Sequence, residues 1–367
     1  MKDESAGDAG RQLPFRHADD PTKVRSLGPW LDPAAPDGDV VISSRVRIAR
    51  NLSGFPFPKR ASDPQRHEVI ESVRRAPWPE EIASGLIWVG MRDSSPHERE
   101  LLVERHLISR QFAQSDTPRA VAVSSDESLS VMVNEEDHMR VQVLLPGFRL
   151  GEAFDRVELL ESAIEEHLDL AFSSRWGYLT ACPTNLGCGI RLSVMLHLPA
   201  LRITNEIERV RRAAKDLHLA VRGFYGEGSE SAGDFYQVSN QVTLGVSERE
   251  LLEEFCQRIV PEVVEYERSS RSLLAERNSV LLDDRVFRAL GILRSARMLG
   301  LEESMKLLSR LRMGSCLGRL DAVPIETVNR LFLMVQPAHL RTVAGLELDD
   351  DQLREARGTM VRKVLGG

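Results

Sequence analysis

Apolar and polar residues alternate in two short runs, Leu129-Val131-Val133 and Met139-Val141-Val143-Leu145, on either side of Asn134-Glu135-Glu136-Asp137-His138. A period of two gives a strand one buried face, so the pair predicts an antiparallel hairpin with an acidic tip. Leu192, Val194, Leu196 and Leu198 predict another strand, and Val40-Val41-Ile42 a short buried one that ends in Ser43-Ser44-Arg45-Val46-Arg47. Elsewhere the spacing is helical. Phe154 to Ala171 reads as an amphipathic helix, and Ser95-Pro96 opens one that runs to Leu107, with Pro at the first helical position. Asn205-x-x-Glu208 and Ser247-x-x-Glu250 read as capping boxes. Beyond about residue 246 only helical periods recur: Leu252, Phe255, Ile259 and Val263, then a helix from Pro324, then Leu353, Ala356, Met360 and Val364. Gly300 and Gly314 suit positions just past helix ends. The pattern divides the chain into a loose polar tail, residues 1–37, in which Trp30 can anchor to a core; an α+β region, 38–255, with an antiparallel sheet flanked by helices; and an all-helical region, 256–367.

Composition narrows the function. A chain of 367 residues suits two domains, and its net charge of −7 supplies no global basic field for nucleic acid. No apolar run approaches the roughly 20 residues that span a bilayer, and Met1–Asp20 lacks a signal-peptide core. The four cysteines, Cys182, Cys188, Cys256 and Cys316, form no CxxC pair and no metal-ligand spacing. A soluble, cytoplasmic, reduced setting with no resident metal is the expectation.

Arginines carry the first chemical signal. Arg45 and Arg47 leave a strand end two residues apart and so share a face. Arg140, Arg191 and Arg222 also stand at element ends. Guanidinium groups converging from several elements suit a triphosphate. No GxxxxGK[ST], GxGxxG or HRD/DFG set is present, so a bound nucleotide would be held by arginine side chains and not by a glycine cradle. The run Cys182-Pro183-Thr184-Asn185-Leu186-Gly187-Cys188-Gly189-Ile190-Arg191 adds a thiol on a rigid turn, which neighbouring cations would favour as thiolate; the bland reading is a Gly-rich loop with an inert thiol. Glu136 at the hairpin tip and Glu227 in Gly226-Glu227-Gly228 can jointly hold a cationic substrate and accept its proton, whereas Glu135 reads as part of a solvated turn.

Four segments occur in the order seen in phosphagen (guanidino) kinases, which the chain resembles: Ser43-Ser44-Arg45-Val46-Arg47, Asn134 to Arg140, Cys182 to Gly187, and Gly226-Glu227. Within that superfamily it is most similar to the bacterial protein-arginine kinases, through Glu104-Arg105-His106-Leu107-Ile108-Ser109, Ser239 to Gly245, and Val335-Gln336-Pro337-Ala338-His339-Leu340. The resemblance covers roughly Trp30 to the C-terminus. It implies a guanidino kinase catalytic domain of the glutamine-synthetase-like fold, followed by a helical domain for dimerisation and substrate docking. It implies Mg²⁺ and ATP as cofactors. The nucleotide site would comprise Ser43, Ser44, Arg45, Val46, Arg47, His106, Arg140, Arg191, Leu192, Ser193, Val194, Met195, Arg222, Gly223, Phe224, Tyr225, Gly226 and Glu227. The acceptor guanidinium would lie between Glu136, Glu227 and Cys182. Implied partners are proteins with exposed arginines, an activator protein, protease or chaperone machinery, and a second copy of the chain; the implied role is marking proteins for degradation under stress.

Small-molecule guanidino kinases resemble one another in a helical domain before the first arginine motif, whereas here 44 residues precede Arg45. A more open site for a protein-borne arginine is the expectation. A kinase of a free guanidino compound and a catalytically inactive arginine-binding adaptor are the alternatives. The chain departs from the family pattern twice. Cys188 stands where Thr is usual, which opens either a redox pairing with Cys182 or an inert role. Leu353-Arg354-Glu355-Ala356-Arg357-Gly358 keeps only Arg357 of the Arg-Asp-x-x-Arg-Ala motif that binds phosphoarginine, so that pocket is not expected here.

Overall fold

The computed structural model describes residues 28–83, 85–223, 232–345 and 347–366. Its strands are β1 (Val41–Arg50), β2 (Leu86–Gly90), β3 (Ala120–Ser124), β4 (Leu129–Val133), β5 (Met139–Pro146), β6 (Phe172–Ser173), β7 (Gly177–Tyr178), β8 (Ile190–His197), β9 (Leu219–Arg222) and β10 (Phe235–Asn240). Eight of them form one antiparallel sheet in the order β2-β3-β4-β5-β1-β8-β10-β9, and β6 and β7 make a separate small hairpin. The expected hairpin is β4–β5.

The helices are α1 (Asp63–Arg75), α2 (Glu80–Ala83), α3 (Pro96–Glu104), α4 (Arg110–Ala113), α5 (Leu150–Glu165), α6 (Pro199–Ile203), α7 (Ile207–Asp216), α8 (Glu248–Glu254), α9 (Val260–Arg277), α10 (Ser279–Ser295), α11 (Leu301–Cys316), α12 (Ile325–Met334), α13 (Pro337–Ala344) and α14 (Asp350–Leu365). Ser95 and Ser247 cap α3 and α8 through full capping boxes, because each hydroxyl and the Glu three residues on can satisfy each other's backbone N–H.

Alternation along the central strands decides what each face of the sheet does. Val46 and Ile48 of β1, Val141, Val143 and Leu145 of β5, and Leu192, Val194 and Leu196 of β8 point to one side. They pack under Phe154, Val157, Leu160 and Ile164 of α5. The opposite side is divided. Near one end Ile42, Leu144, Met195 and Phe235 are covered by α10 to α14. At the β2–β3 edge Val121, Val123 and Met132 are covered by α3 and α4. Between these two covers the face is polar and open. The helical region therefore shares a core with the sheet.

Several expectations need correction. Arg45 and Arg47 lie inside a ten-residue central strand, not at the end of a short one. Pairing on both edges keeps that polar stretch extended. Residues 28–37 are not loose, since Trp30 and Leu31 are buried at 2% exposure in the core shared with the helices. Residues 1–27 lie outside the described residues. The helix expected over 154–171 runs from Leu150 to Glu165, and α3 stops at Glu104, not Leu107. Asn205 does not cap α7; it takes a left-handed φ of 60°, and Glu206 precedes the helix without a side-chain cap. Gly300 precedes α11, and Gly314 lies inside it. A Cβ on Gly314 would approach Val286 Cγ1 to 2.5 Å, so close packing against α10, and not helix termination, requires glycine there.

Candidate active site

A cleft of about 970 Å³ opens on the polar part of the sheet. Its floor carries Arg45 and Arg47 from β1, Arg140 and Gln142 from β5, Arg191 from β8, and Gln237 from β10, with Arg222 at the end of β9. Register explains the convergence. Arg47 is the Cα partner of Arg191 on one side and Gln142 on the other, and Arg222 faces Gln237. Side chains on directly opposed residues project to the same face, so the neighbouring strands β5, β1 and β8 bring their guanidinium groups together, and Arg222 of β9 joins them across Gln237 of β10. The chain is acidic overall, yet this face is strongly basic.

The cluster is under electrostatic load. Arg45 donates through Nη2 to Gln237 Oε1 at 2.8 Å and through Nε to Ser193 Oγ at 3.3 Å. Burial, then the charges of Arg191, Arg140 and Arg222, push its pKa down to about 9. Arg47 is held well below the usual range by burial and by Arg45, Arg140 and Arg191, with Glu135 opposing. Among the described residues nothing accepts a hydrogen bond from the buried Nε of Arg47. Like charges packed this closely destabilise each other, and an anion with several oxygens relieves all of them together.

His106 stands on one wall with a left-handed φ of 61° and meets Trp30 edge-on, ring centroids 4.8 Å apart. Burial and the charges of Arg45 and Arg110 push its pKa down to about 3, so it is a neutral imidazole at physiological pH. Its carbonyl accepts from Gln142 Nε2 at 2.8 Å, which joins that wall to the floor.

The other wall carries the acidic tip. This turn is not the solvated one expected: Glu135, Asp137 and His138 are 5%, 2% and 0% exposed. Glu135 pairs with Arg140 and accepts from Ser109 Oγ. Glu136 keeps 28% of its side chain exposed to the cleft and lies 3.7 Å from Arg140 Nη2. Asp137 turns inward, and its Oδ1 accepts from Asn51 Nδ2 at 2.7 Å and from the Ala181 N–H at 2.7 Å. Asn51 Oδ1 in turn accepts from the His138 N–H at 2.8 Å. The acidic tip is thereby bonded to the residue just before Cys182, which fixes Glu136 and the thiol on one side of the cleft.

Cys182 is half-buried and precedes a 3₁₀ turn at Pro183–Asn185, its Sγ 3.0 Å from Thr184 Oγ1. Thr243 Oγ1 donates toward the carbonyls of Thr184 (3.0 Å) and Leu186 (2.8 Å), and the Cys188 N–H donates to the Thr243 carbonyl at 3.1 Å. Gly187 has φ +107°, and a Cβ there would overlap the Thr243 carbonyl, so the loop can approach only as glycine. Cys188 packs against the core under α5, and burial pushes its thiol up. This favours the inert role over the redox one.

The cleft thus brings together Arg45, Arg47, His106, Arg140, Arg191, Arg222, Glu136 and Cys182. Ser193 lies beside Arg45, and Ser43 and Met195 border a small recess between Arg45, Trp30 and His106. Four sequence-based candidates do not fit. Ser44, Val46, Leu192 and Val194 occupy the alternate positions of β1 and β8, so their side chains point to the apolar face. Ser44 instead donates to the Gly147 carbonyl at 2.8 Å. Gly223 follows β9 at the cleft's end, and Phe224, Tyr225, Gly226 and Glu227 lie outside the described residues. Sequence reasoning missed Asn51, Gln142 and Gln237, polar residues whose partners are distant in sequence, and it noted Asp137 only as one of the tip carboxylates, not as the link to Asn51 and Ala181. No His, Cys, Asp and Glu group suited to a metal ion occurs among the described residues. In the degenerate C-terminal window Arg357 is buried, and its guanidinium donates to the carbonyls of Val335 and Leu299, both at 2.8 Å.

Comparisons with known proteins bear on this geometry. Residues 71–270 match the family model of the ATP:guanido phosphotransferase C-terminal catalytic domain. Residues 279–367 match that of the protein-arginine kinase McsB C-terminal domain. The chain is 45% identical over 338 residues to a protein-arginine kinase of Brevibacillus brevis, covering 92% of this chain and 94% of that one. It is 42% identical over 337 residues to that of Pelotomaculum thermopropionicum, covering 91% and 94%. Among solved structures, the duplicated taurocyamine kinase of Schistosoma mansoni with bound transition-state-analogue components superposes with a TM-score of 0.59 at 27% identity, over 64% of this chain and 34% of that one. A lombricine kinase, at 24% identity and a TM-score of 0.55 over 70% and 71%, shares the fold.

Proposed function

The chain belongs to the protein-arginine kinases, a branch of the ATP:guanido phosphotransferases, and from that premise we propose how its cleft transfers the γ-phosphoryl group of ATP to an arginine side chain in a protein. The observation that carries the proposal is the stack of arginines on one sheet face, with a buried Nε on Arg47 that lacks an acceptor among the described residues, beside a wall that carries Glu136 and Cys182.

Arg45, Arg47, Arg140, Arg191 and Arg222 would hold the phosphate chain, with Ser43, Ser193, Met195 and the neutral ring of His106 lining its inner end. Magnesium would enter with the nucleotide, bound to phosphate oxygens and offsetting their charge. The cationic floor suits the polyphosphate in which that ion is already held.

An arginine guanidinium has a pKa above 12 and is no nucleophile until one nitrogen loses a proton. Glu136 and Glu227 together would orient the planar acceptor bidentately, and one of these carboxylates would take the proton as the nitrogen attacks phosphorus in line. Cys182, on the same wall as Glu136, would act as a positioning group, not a covalent nucleophile. Holding both partners in line can contribute roughly 7–11 kcal/mol to lowering the barrier. The arginines offset charge on the equatorial oxygens as the bond to the leaving phosphate breaks.

We extend the proposal to setting and partners. The four free cysteines suit a reducing cytoplasm. Among the described residues no helix is long and apolar enough to cross a membrane. Val280 and Phe287, 84% and 52% exposed on α10, suit contact with a second copy or an activator.

Incubation with Mg-ATP and an unfolded basic protein should produce acid-labile, protein-bound phosphate. Glu136→Gln and Glu227→Gln should each lower the rate by about 10²–10⁴-fold while ATP still binds. Fast turnover of free arginine with no labelled protein would refute the protein-substrate assignment.

A further inference from the structure

Of two segments that set this chain among the protein-arginine kinases, Glu104 to Ser109 borders the cleft through His106, Ile108 and Ser109, while Val335 to Leu340 does not line it. In the fold they meet. Helices α3 and α13 face each other through three rungs. At the outer two, His97 Nε2 lies 2.9 Å from Thr342 Oγ1, and Arg341 Nη1 donates to Glu100 at 2.9 Å. At the inner rung, Glu104 accepts from the backbone N–H of Ala338 at 2.8 Å, from that of His339 at 3.1 Å, and from His339 Nδ1 at 2.7 Å. Glu104 and His339 are 8% and 6% exposed.

The chemistry of this inner rung is specific. The first N–H groups of a helix have no partner within it, and a buried carboxylate satisfies two of them here. Burial outweighs the nearby carboxylate and holds His339 below its ordinary pKa. A neutral ring with its proton on Nδ1 donates to Glu104 and leaves Nε2 as an acceptor, where Arg105 Nη1 approaches to 3.4 Å. Arg105 also makes two bonds to Glu127, at 2.8 and 2.6 Å. The next residue is His106, in its left-handed conformation, and Ile108, Ser109 and Arg110 follow it along the cleft wall. Three consecutive residues therefore face three places: Glu104 the helical region, Arg105 the β3–β4 turn, and His106 the arginine cluster.

We propose that Glu104 and His339 are positioning residues for the nucleotide: docking of α13 on Glu104 sets the 106–110 wall against Arg45, so the helical region controls ATP affinity. The inference rests on the reading of the cleft as an ATP site. An intact joint holds the strained His106 turn in one place, and a broken joint lets it relax away from the phosphates.

Glu104→Gln keeps the shape and turns one acceptor into a donor, which in either amide orientation faces an N–H group it cannot satisfy. In amide hydrogen exchange of the full-length, ligand-free protein, residues 105–110 should exchange about tenfold faster in this variant, with β1 and β8 unchanged. In steady state, KM for ATP should rise about tenfold with kcat within about twofold. His339→Asn keeps a donor for Glu104 but loses the acceptor for Arg105. It should show both changes at about threefold, and it decides the matter if Glu104→Gln does not fold. Unchanged exchange at 105–110, or lost activity with unchanged KM for ATP, would overturn the proposal, since a purely structural defect lowers the active fraction and leaves KM alone. Absence of ATP-dependent transfer in the wild type would instead count against the kinase assignment, and the exchange measurement would still judge the joint.

Discussion

Arg47 shows at the scale of one residue what the arginine cluster costs the ligand-free fold. Its guanidinium is depressed well below the usual range by burial and three like charges, so the ligand-free fold carries it at a cost. The sign follows directly. A base whose folded pKa lies below its unfolded value destabilises the fold at neutral pH. Arg47→Met removes the charge and keeps most of the apolar stem, so the ligand-free melting temperature should rise. ATP at a hundred times Kd should stabilise the wild type by about 2.7 kcal/mol and the variant by far less. Thermal unfolding with and without Mg-ATP tests both statements, and a ligand-free variant that melts below wild type would contradict the first. Arg45, Arg47, Glu136 and Cys182 were legible in the sequence, because each combines a chemical group with a turn or strand pattern. Asn51 and Asp137 were not: a buried amide and carboxylate announce nothing until their partners, 86 positions apart, meet at 2.7 Å.

Among the elements, α11 is the clearest case of packing overriding local preference. Glycine inside a helix costs about 0.5–1 kcal/mol relative to alanine, yet Gly314 sits mid-helix because α10 passes too close for a side chain. Gly314→Ala should lower stability by about 1–3 kcal/mol through overpacking, despite its better helix propensity. Val286→Ala in the same chain should restore part of that loss, and denaturant unfolding of the two single variants and the double variant measures the coupling. If Gly314→Ala alone proves stabilising, the close-packing account is wrong. Capping illustrates the complementary case. Ser247 and Glu250 close a capping box as their spacing predicts, whereas Asn205 and Glu208, at the same spacing, do not, because Asn205 is taken up by a left-handed turn. Spacing proposes a cap, and the entering backbone decides it.

For the molecule as a whole, the helical region and the sheet stabilise each other. Ile42, Leu144, Met195 and Phe235 project from the sheet into the core of α10 to α14. Arg312, fully buried on α11, donates to the carbonyls of Asp39 at 2.8 Å and Gly38 at 2.5 Å. Exposing four such side chains forfeits roughly 6–12 kcal/mol at about 1.5–3 kcal/mol each, comparable to the whole stability of a domain. A fragment of residues 28–270 should therefore fail to unfold cooperatively and should bind hydrophobic dyes. A sharp thermal transition from that fragment would show the sheet to be self-sufficient. The same shared core places α13 where it can hold the His106 wall.

By itself the sequence determined the α+β sheet with its helical successor, the set of arginines without a glycine-cradle motif, and the family, because alternation, helical period and ordered motifs are local signals. Only the tertiary structure decided which face each strand residue serves, why Val194 faces the core while Arg191 faces the cleft, and how Asp137 ties the acidic tip to the cysteine loop. The reason is physical. A side chain's direction follows from strand parity, but the function of a face depends on what covers it, and the α10 to α14 helices that cover one end of this face come after all of its strands in the chain.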